Sequence, residues 1–181
     1  MKKLKFGLIG FSEGNGHPFS WAAIFNGFNL NFLEDCPFPV IRDYLSKQKS
    51  TKAVIPNAQV TYIWTPNPKD SETIAKVSNI PNIVTSYVDM LGNVDAILVP
   101  RDDHEKHYEI SKFFIKKGLP IYIDKPIAIK KNIAQQIFDL EQYEGQIFTC
   151  SAIGNSKEFK LSKEDYNNLG KLEYVDACII K

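Results

Sequence analysis

Glu109-Ile110-Ser111-Lys112-Phe113-Phe114-Ile115-Lys116-Lys117-Gly118-Leu119-Pro120-Ile121-Tyr122-Ile123 holds the unit from which the rest of the chain can be read. Ile110, Phe113 and Phe114 recur at spacings of three and four, and Glu109, Lys112, Lys116 and Lys117 fall on the other side, as in a helix with one buried face. Gly118 supplies the stop, because glycine takes the backbone conformation that ends a helix at little cost. The apolar run Ile121-Tyr122-Ile123 follows at once, so a helix feeds directly into a buried strand.

The same alternation extends in both directions. Apolar runs predict strands over residues 4–9, 59–64, 82–85, 95–99, 120–123 and 146–150, and amphipathic stretches predict helices over 19–28, 71–77, 105–117 and 129–143. Strands alternating with helices give an α/β fold, a doubly wound and mostly parallel sheet. Residues 29–57 are too long for a simple connection. Cys36-Pro37-Phe38-Pro39 makes a rigid irregular piece there, and 40–49 reads as a short helix. This insertion is taken as an ordered surface excursion, with a lid or an oligomer contact as its alternatives. After Cys150 the chain turns polar and irregular over 151–169, then strand-like over 172–180. The expected organisation is a nucleotide-binding domain over 1–150, followed over 151–181 by a linker and the first strand of a truncated second α+β domain.

A chain of 181 residues with 44% hydrophobic content is long enough for one substantial core. Lys and Arg number 22 against 21 Asp and Glu, so no overall charge draws the protein to nucleic acid or an anionic membrane. The start, Met1 to Phe6, reads as a strand rather than a signal peptide, and no run approaches the roughly 20 apolar residues of a membrane span. A cytoplasmic location is expected. Cys36, Cys150 and Cys178 are far apart and odd in number, which predicts buried, reduced thiols.

Three motifs lie where strands end. Gly7-Leu8-Ile9-Gly10-Phe11-Ser12-Glu13-Gly14-Asn15-Gly16 stands between the first strand and the first helix, where backbone can approach a pyrophosphate closely. Its spacing is irregular: Ser12 holds the place of a second glycine, and Asn15 or Gly16 serves as the third. Asp124-Lys125-Pro126 follows the strand ending at Ile123, which puts Lys125 on the edge where open α/β sheets bind ligands. An ammonium there can hydrogen-bond a substrate hydroxyl or steady a developing alkoxide. Pro100-Arg101-Asp102-Asp103-His104-Glu105-Lys106-His107 follows the strand ending at Val99. Asp102 or Asp103 is suited to cap the next helix. His104 and His107 lack a third and fourth ligand, so no metal site is expected. His17-Pro18 opens the first helix, with His17 either structural or reaching a phosphate or substrate. Each motif has a plainer reading by itself: a turn without a ligand for the glycines, a surface lysine for Lys125. No Gly-Lys-Ser or Gly-Lys-Thr follows the glycines, which excludes a phosphate-loop nucleotidase.

In order and together, these features resemble the N-terminal half of the Gfo/Idh/MocA oxidoreductases. Asp124-Lys125-Pro126 is similar to that family's Glu-Lys-Pro signature, and His107 through Ile123 resembles its histidine-led helix and the strand before the signature. The resemblance implies a Rossmann domain holding NAD or NADP and a second domain supplying most substrate contacts, with a sugar, sugar nucleotide or polyol as substrate. It implies that Lys125 is catalytic and that Gly10, Ser12, Gly14, Asn15 and Gly16 line the pyrophosphate. Arg101, Asp102 and His104 would follow the cofactor's far edge and Asp124 its nicotinamide side, with Phe11, Thr65 and Pro126 completing the contacts. The second-domain aspartate and proton-transferring histidine of that family are expected outside these 181 residues. Trp64-Thr65-Pro66-Asn67 offers no carboxylate for the adenine ribose, so NAD and NADP both stay open. Self-association is expected of the last strand. The reading from another class is a non-catalytic nucleotide-binding or assembly protein that retains the fold.

Overall fold

In the computed structural model of the chain, which describes residues 3–151, 156–157, 160–171 and 173–174, the six short apolar runs pair as parallel strands. They are β1 (Leu4–Ile9), β2 (Ala58–Trp64), β3 (Asn82–Ile83), β4 (Ala96–Val99), β5 (Ile121–Ile123) and β6 (Ile147–Phe148), in the order β3-β2-β1-β4-β5-β6. Helices α1 (His17–Asn26), α2 (Pro39–Ser46), α3 (Pro68–Val77), α4 (His107–Ile115) and α5 (Lys131–Phe138) connect them, and α6 (Lys163–Leu169) follows. The chain divides into two units, Met1–Thr149 and Cys150–Lys181. All six strands belong to the first.

Successive side chains of a strand point to opposite faces, and the sheet accordingly carries two cores. Leu8 and Leu98 pack with Phe19 and Ala22 of α1 and Ile74 of α3. Ile9, Ile97, Val99 and Ile123 pack on the other side with Ile110 and Phe114 of α4 and Ile137 of α5. From β1 the chain steps outward through β2 and β3, then returns to β4 beside β1 and steps the other way. The loops after β1 and β4 therefore leave neighbouring strands at the C-terminal edge, where the strand order reverses and a crevice opens.

Several expectations need correction. α1 starts at His17 rather than residue 19, because Pro18 suits a first helical turn, and it ends before Gly27, whose φ is 72°. A side chain at Gly27 would meet the Thr51 carbonyl oxygen at 2.0 Å. The helix expected over 129–143 stops at Phe138. Beyond it the Gln146 side chain accepts from the Gln142 N–H and the Glu141 carboxylate from the Ile147 N–H, so polar side chains replace helical partners. Residues 151–169 are not irregular throughout. Ser162 and Asp165 form a reciprocal capping box that starts α6, a signal present in Ser162-Lys163-Glu164-Asp165.

The insertion is ordered: a 3₁₀ turn over Leu30–Asp35 and α2 bury Leu33, Cys36 and Leu45 in the first core. Cys36 is buried and reduced, and burial pushes its thiol up, offset in part by the Phe38 backbone and Arg42. Cys150 is reduced but only half-buried, contrary to expectation. Cys178 and most of the strand expected over 172–180 lie outside the described residues.

Candidate functional site

The glycine stretch folds into a tight turn at the head of α1. Asn15 donates its N–H to the Ser12 carbonyl at 3.1 Å, and Gly14 takes φ 77°, a conformation that favours glycine. Nothing lies within 4 Å of where a Gly14 side chain would start, so the turn is open above that residue. Gly16 is crowded from the opposite quarter: an added Cβ would sit 2.3 Å from Ile41 of α2 and 3.0 Å from Phe38. Phe38 also meets Phe11 edge-on at 6.0 Å. The insertion thus braces the turn from behind.

The loop after β4 ties itself to this turn. Ser12 donates to Asp102 at 2.5 Å, and the Asp102 N–H donates back to the Ser12 hydroxyl at 3.2 Å. Arg101, buried, donates to the Gly10 carbonyl at 3.4 Å and forks onto Asp103 at 2.8 and 2.5 Å. Neither aspartate caps a helix as expected. Asp103 precedes the 3₁₀ turn His104–Lys106, but its carboxylate is taken by the guanidinium.

The loop after β5 reaches the same place. Asp124 is 1% exposed, accepts from the Lys125 N–H at 2.8 Å and from the Asn15 side chain at 3.3 Å, and pairs with His17 Nδ1. Burial alone would push this carboxyl up; the hydrogen bond and charge of His17, then the Lys125 amide and Asn15, outweigh it and hold the group below its ordinary value. A carboxylate at the head of α1 also faces the positive end of that helix. Lys125 is exposed, its side chain has no partner among the described residues, and its bond to Pro126 is cis.

His107, wholly buried at the start of α4, holds the β4 and β5 loops together. Its Nε2 meets the Arg101 carbonyl at 2.9 Å and its Nδ1 the Ile127 carbonyl at 3.0 Å. Reading the sequence for metal ligands missed this positioning role; the signal was a histidine leading a helix straight after the strand-end loop.

Gly10, Ser12, Asn15, Arg101, Asp102 and Asp124 are thus joined by direct hydrogen bonds, with Phe11, Gly14 and Gly16 in the same turn. Thr65 is turned away from that set, its hydroxyl spent on the Asn67 carbonyl and Ser71 at the start of α3. His104 pairs with Glu105 and lines a groove of about 570 Å³ with Tyr108, Ala128, Ile129 and Lys130. Pro126 is exposed beside Lys125. Among the described residues no cluster of three metal-binding side chains occurs, and no helix is long and apolar enough to cross a membrane.

The turn fits a diphosphate through its backbone rather than its side chains. Ser12 and Asn15 point inward to carboxylates, while the N–H groups of Ser12, Glu13 and Gly14 have no partner among the described residues. Unpaired amides over an open glycine, at the head of a helix and at the sheet's switch point, are what such an anion needs.

Comparison with known proteins gives the chain a family. The family model Gfo/Idh/MocA, described as an oxidoreductase family with an NAD-binding Rossmann fold, matches residues 41–151, more than half of the chain. No curated protein matches. Among solved structures, scyllo-inositol dehydrogenase from Lactobacillus casei is similar at TM-score 0.55 and 12% identity, over 85% of this chain and 38% of that one. A Gfo/Idh/MocA oxidoreductase from Vibrio cholerae is similar at TM-score 0.51 and 20% identity, over 82% and 38%. UDP-N-acetylglucosamine 3-dehydrogenase from Acidithiobacillus ferrooxidans is similar at TM-score 0.51 and 15% identity, over 77% and 35%. This chain therefore spans between a third and two fifths of those proteins' length.

Proposed function

We infer the activity from one premise: the chain belongs to the Gfo/Idh/MocA family of oxidoreductases, whose Rossmann fold is NAD-binding. The proposed reaction is hydride exchange between NAD or NADP and a hydroxyl or carbonyl of a sugar, sugar nucleotide or polyol. Bound at the edge, the nicotinamide would supply the hydride acceptor or donor.

The observation that carries this reading is the Asn15–Asp124 hydrogen bond, which joins the glycine turn to the residue before Lys125 across 109 positions of sequence. Phosphate-binding amides and a partnerless amine thereby share one edge. In this role the amides of Ser12, Glu13 and Gly14 hold the diphosphate, Asp124 flanks the nicotinamide half, and Lys125 donates to the reacting oxygen, lowering the cost of negative charge there. The domain limits of 1–150 and 151–181, and the substrate class suggested by the inositol and sugar-nucleotide dehydrogenases, belong to the same proposal.

Fluorescence titration with NADH and NADPH tests it. Saturable binding is expected, and Gly14→Val should weaken it roughly tenfold or more, because a β-branched residue at positive φ strains the turn by about 1–3 kcal/mol. Lys125→Ala should leave that affinity unchanged. An unsaturated signal at millimolar concentrations of both nucleotides rules the reading out.

A further inference from the structure

Ser12 serves the glycine turn twice. Its N–H is one of the three amides left without a partner among the described residues, and its hydroxyl donates to the Asp102 carboxylate at 2.5 Å. The Asp102 N–H donates back to that hydroxyl at 3.2 Å, so a closed pair of hydrogen bonds latches the loop after β4 to the turn after β1. Ser12 is buried and Asp102 is exposed. The carboxylate therefore stands one serine side chain away from an open amide. It also takes from Ser12 the kind of hydrogen bond that a phosphate oxygen would take.

No neighbouring cation neutralises this carboxylate. The buried Arg101 guanidinium, next to it in sequence, gives Nε and one Nη to Asp103 and the other Nη to the Gly10 carbonyl. His17 is committed to Asp124, and His104 pairs with Glu105. Glu13, exposed on the turn itself, adds charge of the same sign. Asp102 forms no ion pair among the described residues. A diphosphate on these amides would thus lie beside a fixed like charge, within the distance over which physiological salt leaves the repulsion largely unscreened.

We propose that Asp102 is a built-in competitor for the diphosphate of the cofactor, held in place by the Ser12 hydroxyl. The assignment rests on the oxidoreductase reading, which puts the diphosphate on the amides of Ser12, Glu13 and Gly14. Binding transfers the Ser12 hydroxyl from Asp102 to a phosphate oxygen, and the released carboxylate turns to the solvent that it already meets. Because the latched form must open first, the apparent affinity falls by the fraction of molecules that are open, and falls again by the repulsion that remains. Asp102 is thereby an affinity-setting residue, outside the chemistry of hydride transfer.

Fluorescence titration of the whole 181-residue protein with NADH, at low salt and at about 0.5 M salt, tests this. Asp102→Asn keeps an acceptor for Ser12 and removes the charge, and it should bind NADH roughly fivefold or more tighter than the wild type at low salt. At the higher salt, where the screening length is about 4 Å, that advantage should shrink to about twofold or less. Asp102→Ala, lacking both charge and acceptor, should also bind more tightly than the wild type, and a structural role for the latch predicts the opposite. Wild-type affinity equal to or above that of either variant, or a gain that salt leaves unchanged, overturns the competitor and leaves the oxidoreductase reading standing. Failure of NADH to saturate the wild type and both variants at millimolar concentration overturns the oxidoreductase reading, and the role of Asp102 falls with it.

Discussion

Both α1 and α4 lead with a histidine at the C-terminal edge of the sheet, yet the two imidazoles are left with different amounts of unused chemistry. His107 is buried, and both its nitrogens meet main-chain carbonyls of neighbouring loops. His17 gives one nitrogen to Asp124 and keeps the other open. The contrast follows from surroundings: His107 is wholly buried between the loops it joins, whereas the His17 side chain is partly exposed at the head of α1. An imidazole whose two nitrogens both face main-chain carbonyls serves as a structural part, and one that keeps a nitrogen without a partner among the described residues is held less completely.

Substitutions sharpen or break that contrast, beginning with the largest effect. His107→Ala should cost about 3–5 kcal/mol in urea unfolding, since it opens a cavity and removes the ring that the Arg101 and Ile127 carbonyls face. A loss under about 1 kcal/mol would mean that the clamp does little.

Asp124→Asn comes next, and its signature is pH dependence. The folded carboxyl lies below its ordinary value of 3.8, so its contribution to stability is complete above the unfolded carboxylate range and vanishes as pH falls through the lowered folded value. Acid unfolding of Asp124→Asn should therefore be less steep than that of the wild type, and coincident acid transitions would contradict the pairing.

The smallest change is expected for His17→Ala, within about 1 kcal/mol of the wild type, because the ring is partly exposed and its loss exposes Asp124 to water. A cost as large as that of His107→Ala would erase the distinction between the two helix heads.

Much of the architecture was legible in advance because its signals are short-ranged. The alternation of apolar runs and amphipathic stretches located all six strands to within a few residues, and Gly118 marked the end of α4 correctly. The ends of α1 and α5 were harder. Gly27 bends the chain against a carbonyl of the insertion, and Glu141 and Gln146 cap backbone groups from positions a helical pattern does not distinguish. At the site, the glycine turn and the residues around Lys125 stood out by type and by their place after strands. The inward commitments of Ser12 and Asn15, and the spent hydroxyl of Thr65, did not, because each depends on a partner from another segment.

Residue order alone determined the periods of two and 3.6, the glycines at a strand end, and the Asp-Lys-Pro after another, because each is a property of a few adjacent residues. Only the tertiary structure decided that Ser12 meets Asp102, 90 positions away, and that His17 meets Asp124, 107 positions away. Those meetings exist because the chain returns to place β4 beside β1 and β5 beside β4, which brings their ends within hydrogen-bonding distance of the head of α1. Strand order is a consequence of how whole helices pack on whole sheets, and no local pattern encodes it.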